Sequence, residues 1–139
     1  MKLLIIFFLL LFQLISCDKM LTVAGKLECC TSDKTPCPVY KQKTEVQIWE
    51  KKTIRSDKHL QSTTSDPITG NFLLSVPNTH KIFSFEPYLK IVHNCDAKPG
   101  CKRVYIVDVP QVFIRNGWTF SITHLNLRKP FLGGNKDQC

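Results

Sequence analysis

Apolar and polar residues alternate along most of the chain, and almost no stretch repeats at helical spacing. Leu21, Val23 and Leu27 fall on one face of a first strand, with Gly25 and Cys29 in register. Val46 and Ile48 alternate with polar neighbours in EVQIWE, and Phe72, Leu74 and Val76 do the same after the turn DPITG. Leu89, Ile91 and His93 follow, then VYIVDVP and WTFSIT. Period-two runs of about four to eight residues, punctuated by Pro and Gly, predict an all-β sandwich or barrel. Leu89 and Ile91 are expected in its core, with Lys90 facing out. PQVFIRNG, Pro110 to Gly117, reads as one helical turn with Pro at its first position and Gly beyond its end.

The last strand breaks its own pattern. Phe120 and Ile122 share a face, yet under strict alternation Leu125 and Leu127 fall on the other. One extra residue reverses the alternation, so a bulge near Thr123–His124 is predicted to return all four to the core. His124 then serves as a solvent-facing spacer at the distortion rather than as a catalytic group.

One segment follows neither period. MKLLIIFFLLLFQLISC carries a single charge, Lys2, and an unbroken apolar run from Leu3 to Phe12. A spanning helix needs about 20 apolar residues, and no later stretch approaches that. The layout is that of a secretory signal peptide over residues 1–17, leaving 18–139 as one exported domain.

Export changes the reading of the cysteines. Of the seven in the chain, Cys17 falls in the signal segment, leaving Cys29, Cys30, Cys37, Cys95, Cys101 and Cys139. An even number in an oxidising compartment reads as disulfides, and spacing alone leaves fifteen pairings open. Adjacent strand residues point to opposite faces, so Cys29 and Cys30 should take different partners. No C-x-x-C pair is present to favour zinc.

The formal net charge is +8, or +7 once Lys2 is removed with the signal. A basic exported protein suits anionic partners such as acidic phospholipid, sulfated glycans or cell-surface proteins. Nucleic acid is not expected, because no recognition-helix pattern occurs. Two basic clusters are candidate binding surfaces. EKKTIRSDKH places Lys51, Lys52, Arg55 and Lys58 in one connection between strands, and Lys98, Lys102 and Arg103 surround the Cys95–Cys101 loop. Solvated loops collect charge as well, so each cluster also has a plain structural reading. Trp49 and Trp118 are candidate anchors for a protein partner, or else covers for the core.

Catalytic chemistry finds no support in the pattern. No serine lies in a nucleophile elbow, the cysteines are expected to be paired, and His59, His80, His93 and His124 sit on separate segments. No cofactor or metal is expected.

The chain nevertheless resembles a known family. VAGKLEC, EVQIWE, GNF, PYLKIVHNC, CKR, VDVP, LNL and a terminal cysteine occur in the order seen in the transthyretin-like family, a large secreted family best known from nematodes. The resemblance implies a transthyretin-like β-sandwich of about seven to eight short strands, residing outside the cell or on its surface. It also implies binding of lipid on cell surfaces, or extracellular signalling, for some members. The family's usual cysteines correspond to Cys29, Cys95, Cys101 and Cys139, with Cys30 and Cys37 as an added pair. That correspondence implies Cys29–Cys139, Cys30–Cys37 and Cys95–Cys101. Relatives carry Gly shortly before LNL, where this chain has Thr123 and His124. Relatives that hydrolyse hydroxyisourate end in Tyr-Arg-Gly-Ser, whereas this chain ends NKDQC.

The expectation is a secreted, non-catalytic binding protein presenting basic loops or an apolar groove between its sheets. A secreted hydrolase on the same scaffold is the alternative, and would need His, Arg and Lys clustered at one end. A small effector or inhibitor of another protein is the third.

Overall fold

A computed structural model describes residues 20–30, 36–77, 85–128 and 136–139. The signal segment expected over 1–17 lies outside the described residues, as does His80. Among the described residues eight strands form: β1 (Met20–Glu28), β2 (Glu45–Glu50), β3 (Lys58–Thr64), β4 (Asn71–Pro77), β5 (Pro87–His93), β6 (Lys102–Asp108), β7 (Phe120–Asn126) and β8 (Lys136–Gln138). One short helix, α1 (Gln111–Asn116), joins β6 to β7. The strands make a three-stranded sheet in the order β4-β1-β7 and a five-stranded sheet in the order β3-β2-β5-β6-β8.

The alternation places one side of each sheet in a shared core. Leu21, Val23, Leu27, Val46, Ile48, Leu89 and Ile91 are each at most 1% exposed. Lys90 is half-buried instead of fully exposed, because its stem lies along the sheet and its Nζ sits 5.1 Å from the Trp49 ring centroid. The bulge in β7 falls where expected. β7 pairs in parallel with β1 as Gly25↔Ile122 and then Leu27↔Leu125, so Thr123 and His124 oppose Lys26 alone. Leu125 and Leu127 are thereby buried while His124 faces solvent, with its Nδ1 3.0 Å from the buried Glu28 carboxylate.

Two local expectations shift by a residue or more. Pro110 is extended (φ −63°, ψ 138°) and caps α1 from outside, so Gln111 is the first helical residue. Gly117 closes the helix at φ 66°, a left-handed conformation that suits glycine. Lys58 and His59 belong to β3, an edge strand whose seven residues are largely exposed and show no apolar alternation.

The disulfides are Cys29–Cys95, Cys30–Cys37 and Cys101–Cys139. Cys30–Cys37 agrees with the expectation, and Cys29 and Cys30 do take different partners. The other two pairings, Cys29–Cys139 and Cys95–Cys101, are overturned. Cys95 and Cys101 do flank the β5–β6 hairpin loop, but the ladder stops at His93↔Arg103. Beyond it the Ala97 N–H donates to the Asn94 carbonyl and Asp96 turns at φ 54°, which ends the strand pairing. Cys95 then lies in the core, 3% exposed, where the end of β1 delivers Cys29. Cys101 stays half-buried at the sheet edge, where β8 delivers the exposed Cys139. One bridge therefore staples the two sheets together, and another pins the terminal strand to β6.

The three bridges share one end of the sandwich. The antiparallel registers put the ends of β2 and β6, and the starts of β3 and β5, at the opposite end. The connection through α1 and the first residues of β7 lie there as well.

Candidate binding surface at the loop end

The β2–β3 connection, residues 51–57, is exposed along its length and is tied down at its base. The Asp57 carboxylate accepts a hydrogen bond from the Tyr88 hydroxyl at 2.8 Å and from the Lys52 N–H at 3.1 Å. The Lys51 N–H donates to the Glu86 carbonyl at 3.0 Å, and the Lys51 ammonium lies 2.7 Å from Asp108 and above the Tyr88 ring. These contacts tune the acids. The bonds from Tyr88 and Lys52 hold the Asp57 carboxyl below its ordinary value. Burial, and then the bond to Asp57, push the Tyr88 phenol up to about 12.

The four sequence-predicted cations of this loop do not act alike. Lys51 is engaged by Asp108, and Lys52 by Glu50 at 2.8 Å. Arg55 and Lys58 are exposed and have no ion-pair partner among the described residues. Between these charges stands Ile54, 94% exposed, over an open notch lined by Lys52, Thr53 and Arg55. Across the same end Val112 on α1 is 48% exposed, and Trp118, just after the helix, is 58% exposed. Trp49, by contrast, is half-buried on the outer face of the five-stranded sheet, with its Nε1–H bonded to Gln47 at 2.9 Å.

The second predicted cluster lies at the disulfide end and is mostly spoken for. Arg103 binds Asp137 of β8 at 2.8 Å and approaches Asp96 at 3.7 Å, so it reinforces the pinned terminal strand. Lys98 and Lys102 remain exposed beside it. The described histidines stay apart, with His59 on β3 against Trp49, His93 buried on β5 between Tyr40 and Tyr105, and His124 on β7. Among the described residues no group of three His, Cys, Asp or Glu side chains could hold a metal ion, and no helix is long and apolar enough to cross a membrane. The space between the sheets holds the core cluster. A shallow groove lies instead over β1, β4 and β7, lined by Ala24, Lys26, Phe72, Ser121 and Ile122.

Sequence reasoning missed Ile54 and the Asp57–Tyr88 clamp. The signal for Ile54 was visible, since one large apolar residue stands among the four cations of EKKTIRSDK with no strand to bury it.

Two sheets stapled at one end and carrying loops at the other define an eight-stranded, disulfide-bonded β-sandwich. The chain belongs to the transthyretin-like family, whose match covers residues 24–110, from within β1 to the residue before α1. A solved structure with a similar fold is a 9R-lipoxygenase from Cyanothece PCC8801, at a TM-score of 0.50 and 14% identity. The likeness covers 78% of this chain but only 16% of that one, and it concerns the fold alone. No curated protein matches the chain.

Proposed function

We propose that this protein is a secreted, non-enzymatic binding module that recognises an anionic cell-surface ligand through its loop end. Family membership and three disulfides support a ligand-binding protein made for an oxidising compartment. The observation that carries the reading is the clamped β2–β3 loop, which presents Arg55, with Lys58 beside it at the start of β3, both without ion-pair partners among the described residues. Lys51 and Lys52 contribute less, since Asp108 and Glu50 already neutralise them. The ligand chemistry is phosphate or sulfate displayed on a surface.

A cation near an acidic membrane contributes about 1 kcal/mol, so Arg55 and Lys58 together supply about 2 kcal/mol, screened over roughly 8 Å at physiological salt. The double variant Arg55→Gln/Lys58→Gln should therefore bind heparin and phosphatidylserine vesicles at least tenfold more weakly at low salt. Its folding stability should stay at the wild-type value. Unchanged binding by the variant, or no binding by the wild type to either probe, refutes the reading.

A further inference from the structure

The three bridges are not equally sheltered. Cys29–Cys95 keeps Cys95 in the core at 3% exposure, and Cys30–Cys37 keeps Cys30 at 4%. Cys101–Cys139 has no buried member, since Cys101 is half-buried and Cys139 is exposed. A thiolate opens a disulfide only by reaching one of its sulfur atoms, so access ranks this bridge first for exchange. Charge favours the same bridge. Lys98 and Lys102 precede and follow Cys101 in the chain, and both are exposed. The Cys101 N–H donates to the Lys98 carbonyl at 2.9 Å, which holds that cation's backbone beside the bridge. The acids nearby, Asp96 and Asp137, are already engaged by Arg103 and Arg128, so the two lysines are left to attract an anionic thiol.

We infer that Cys101–Cys139 is a thiol-exchange site, opened by an anionic low-molecular-weight thiol of the glutathione class, and that opening detaches β8 from β6. The attacking thiolate forms a bond to the exposed Cys139 sulfur, and the bond between Cys139 and Cys101 breaks. Cys101 leaves as a thiolate and takes a proton from water, while Cys139 carries the thiol as a mixed disulfide. One disulfide replaces another, so no further oxidant or reductant is consumed. Attack of the Cys101 thiolate on the Cys139 sulfur expels the small thiol and restores the bridge. Little else holds β8. Three residue pairs join it to β6, namely Lys102↔Gln138, Arg103↔Asp137 and Val104↔Lys136. The Arg103–Asp137 pair lies near solvent and adds little. The remaining fold survives the opening, because neither Cys101 nor Cys139 belongs to the core cluster and Cys29–Cys95 still staples the sheets. β6 then presents over Lys102–Val104 the backbone groups that β8 had paired.

The test holds the oxidised protein with reduced glutathione at neutral pH without denaturant, alkylates free thiols at intervals and maps the peptides. The first product should carry glutathione on Cys139 and the alkyl group on Cys101, formed about tenfold or more faster than adducts at the cysteines of the other two bridges. Backbone hydrogen exchange over Lys102–Val104 should accelerate about tenfold or more in that product, while Leu89 and Ile91 keep their protection. Lys98→Gln/Lys102→Gln should slow the reaction with glutathione and leave the rate with neutral 2-mercaptoethanol unchanged. Cys101→Ser/Cys139→Ser should fold, by circular dichroism, and show the fast β6 exchange with no thiol present. A first adduct on any cysteine but Cys139, or concerted loss of all three bridges, overturns the inference. Unchanged β6 exchange in the adduct, an unslowed lysine variant, or failure of Cys101→Ser/Cys139→Ser to fold overturns it equally.

Discussion

Replacing Gly25 by Ala tests how closely β1 and β4 are fitted. Gly25 lies opposite Phe72 in the β1–β4 ladder, and the Phe72 side chain is buried at 5% exposure. A Cβ at position 25 would stand 2.6 Å from both Cε1 and Cζ of that ring, and 3.1 Å from the Ile122 carbonyl oxygen. Gly25 does not have a positive φ, so its backbone accepts alanine and the cost is steric. Overpacking of a buried ring costs about 1–3 kcal/mol. The lower chain entropy of alanine in a strand returns roughly 0.5–1 kcal/mol of that. Gly25→Ala should therefore destabilise by roughly 0–2.5 kcal/mol, centred near 1 kcal/mol, read as a lower urea midpoint at unchanged m-value with the disulfides intact. Phe72→Leu removes the ring that clashes, at its own cost of about 1–2 kcal/mol for lost burial. The double variant should then be close to Phe72→Leu alone, a coupling of about 1–2 kcal/mol that independent sites do not show. Strict additivity in the cycle would refute the close approach.

Four further outcomes rest on other contacts of the sandwich. Peptide mapping without reduction should recover Cys29–Cys95, Cys30–Cys37 and Cys101–Cys139. Removing Cys29–Cys95, which spans 66 residues, should cost about 4.4 kcal/mol on the chain-entropy model, against about 2.4 kcal/mol for Cys30–Cys37, which spans 7. Equal losses for the two in denaturant would contradict the sheet-to-sheet staple. Ile91, fully buried in the core cluster, should cost about 2–5 kcal/mol when replaced by Ala, and a loss near zero would remove β5 from the core. Tyr88 should titrate near 12 in the difference absorbance between wild type and Tyr88→Phe. Its folded value is raised, so the associated stability is complete below the ordinary value of 10 and is lost as pH rises through about 12. Asp57→Asn should bring the phenol down, and an unmoved titration would break the clamp.

The strands that bury a face were legible because alternation is a direct imprint of the pleat. Even the β7 bulge could be read, since Ile122 and Leu125 demand a switch of period that only an extra residue supplies. β3 was not legible: KHLQSTT lies at a sheet edge with little to bury, so no alternation was selected. Two of the three expected disulfide pairings failed for another reason. Cys95 and Cys101 are near in sequence, but a turn at Asn94–Ala97 sends one to the core and leaves the other at the edge, and no local pattern encodes that divergence. The basic loop was read as one cluster, whereas its cations differ in their partners. Its four cations are adjacent in sequence, whereas Asp108, which neutralises Lys51, arrives from another strand.

The two ends of the sandwich are held by different kinds of interaction, and that difference bears on where a ligand can act. All three disulfides lie at one end, where they restrict β1, β5, β6 and β8. At the other end the loop base rests on the Asp57–Tyr88 hydrogen bond, the Lys51–Asp108 ion pair and the Gln111 side chain bonded to the Phe85 carbonyl at 2.8 Å. Exposed ion pairs are worth about 0–1 kcal/mol each, and a bond between neutral groups such as Gln111 and the Phe85 carbonyl about 0.5–1.5 kcal/mol net. Opening any of these costs far less than breaking a covalent bridge, so adaptation to a ligand is least expensive at the loop end. The disulfide end then supplies the fixed frame against which that adaptation occurs. On the reading proposed above, Ile54, Arg55 and Lys58 stand exposed where such adjustment costs least.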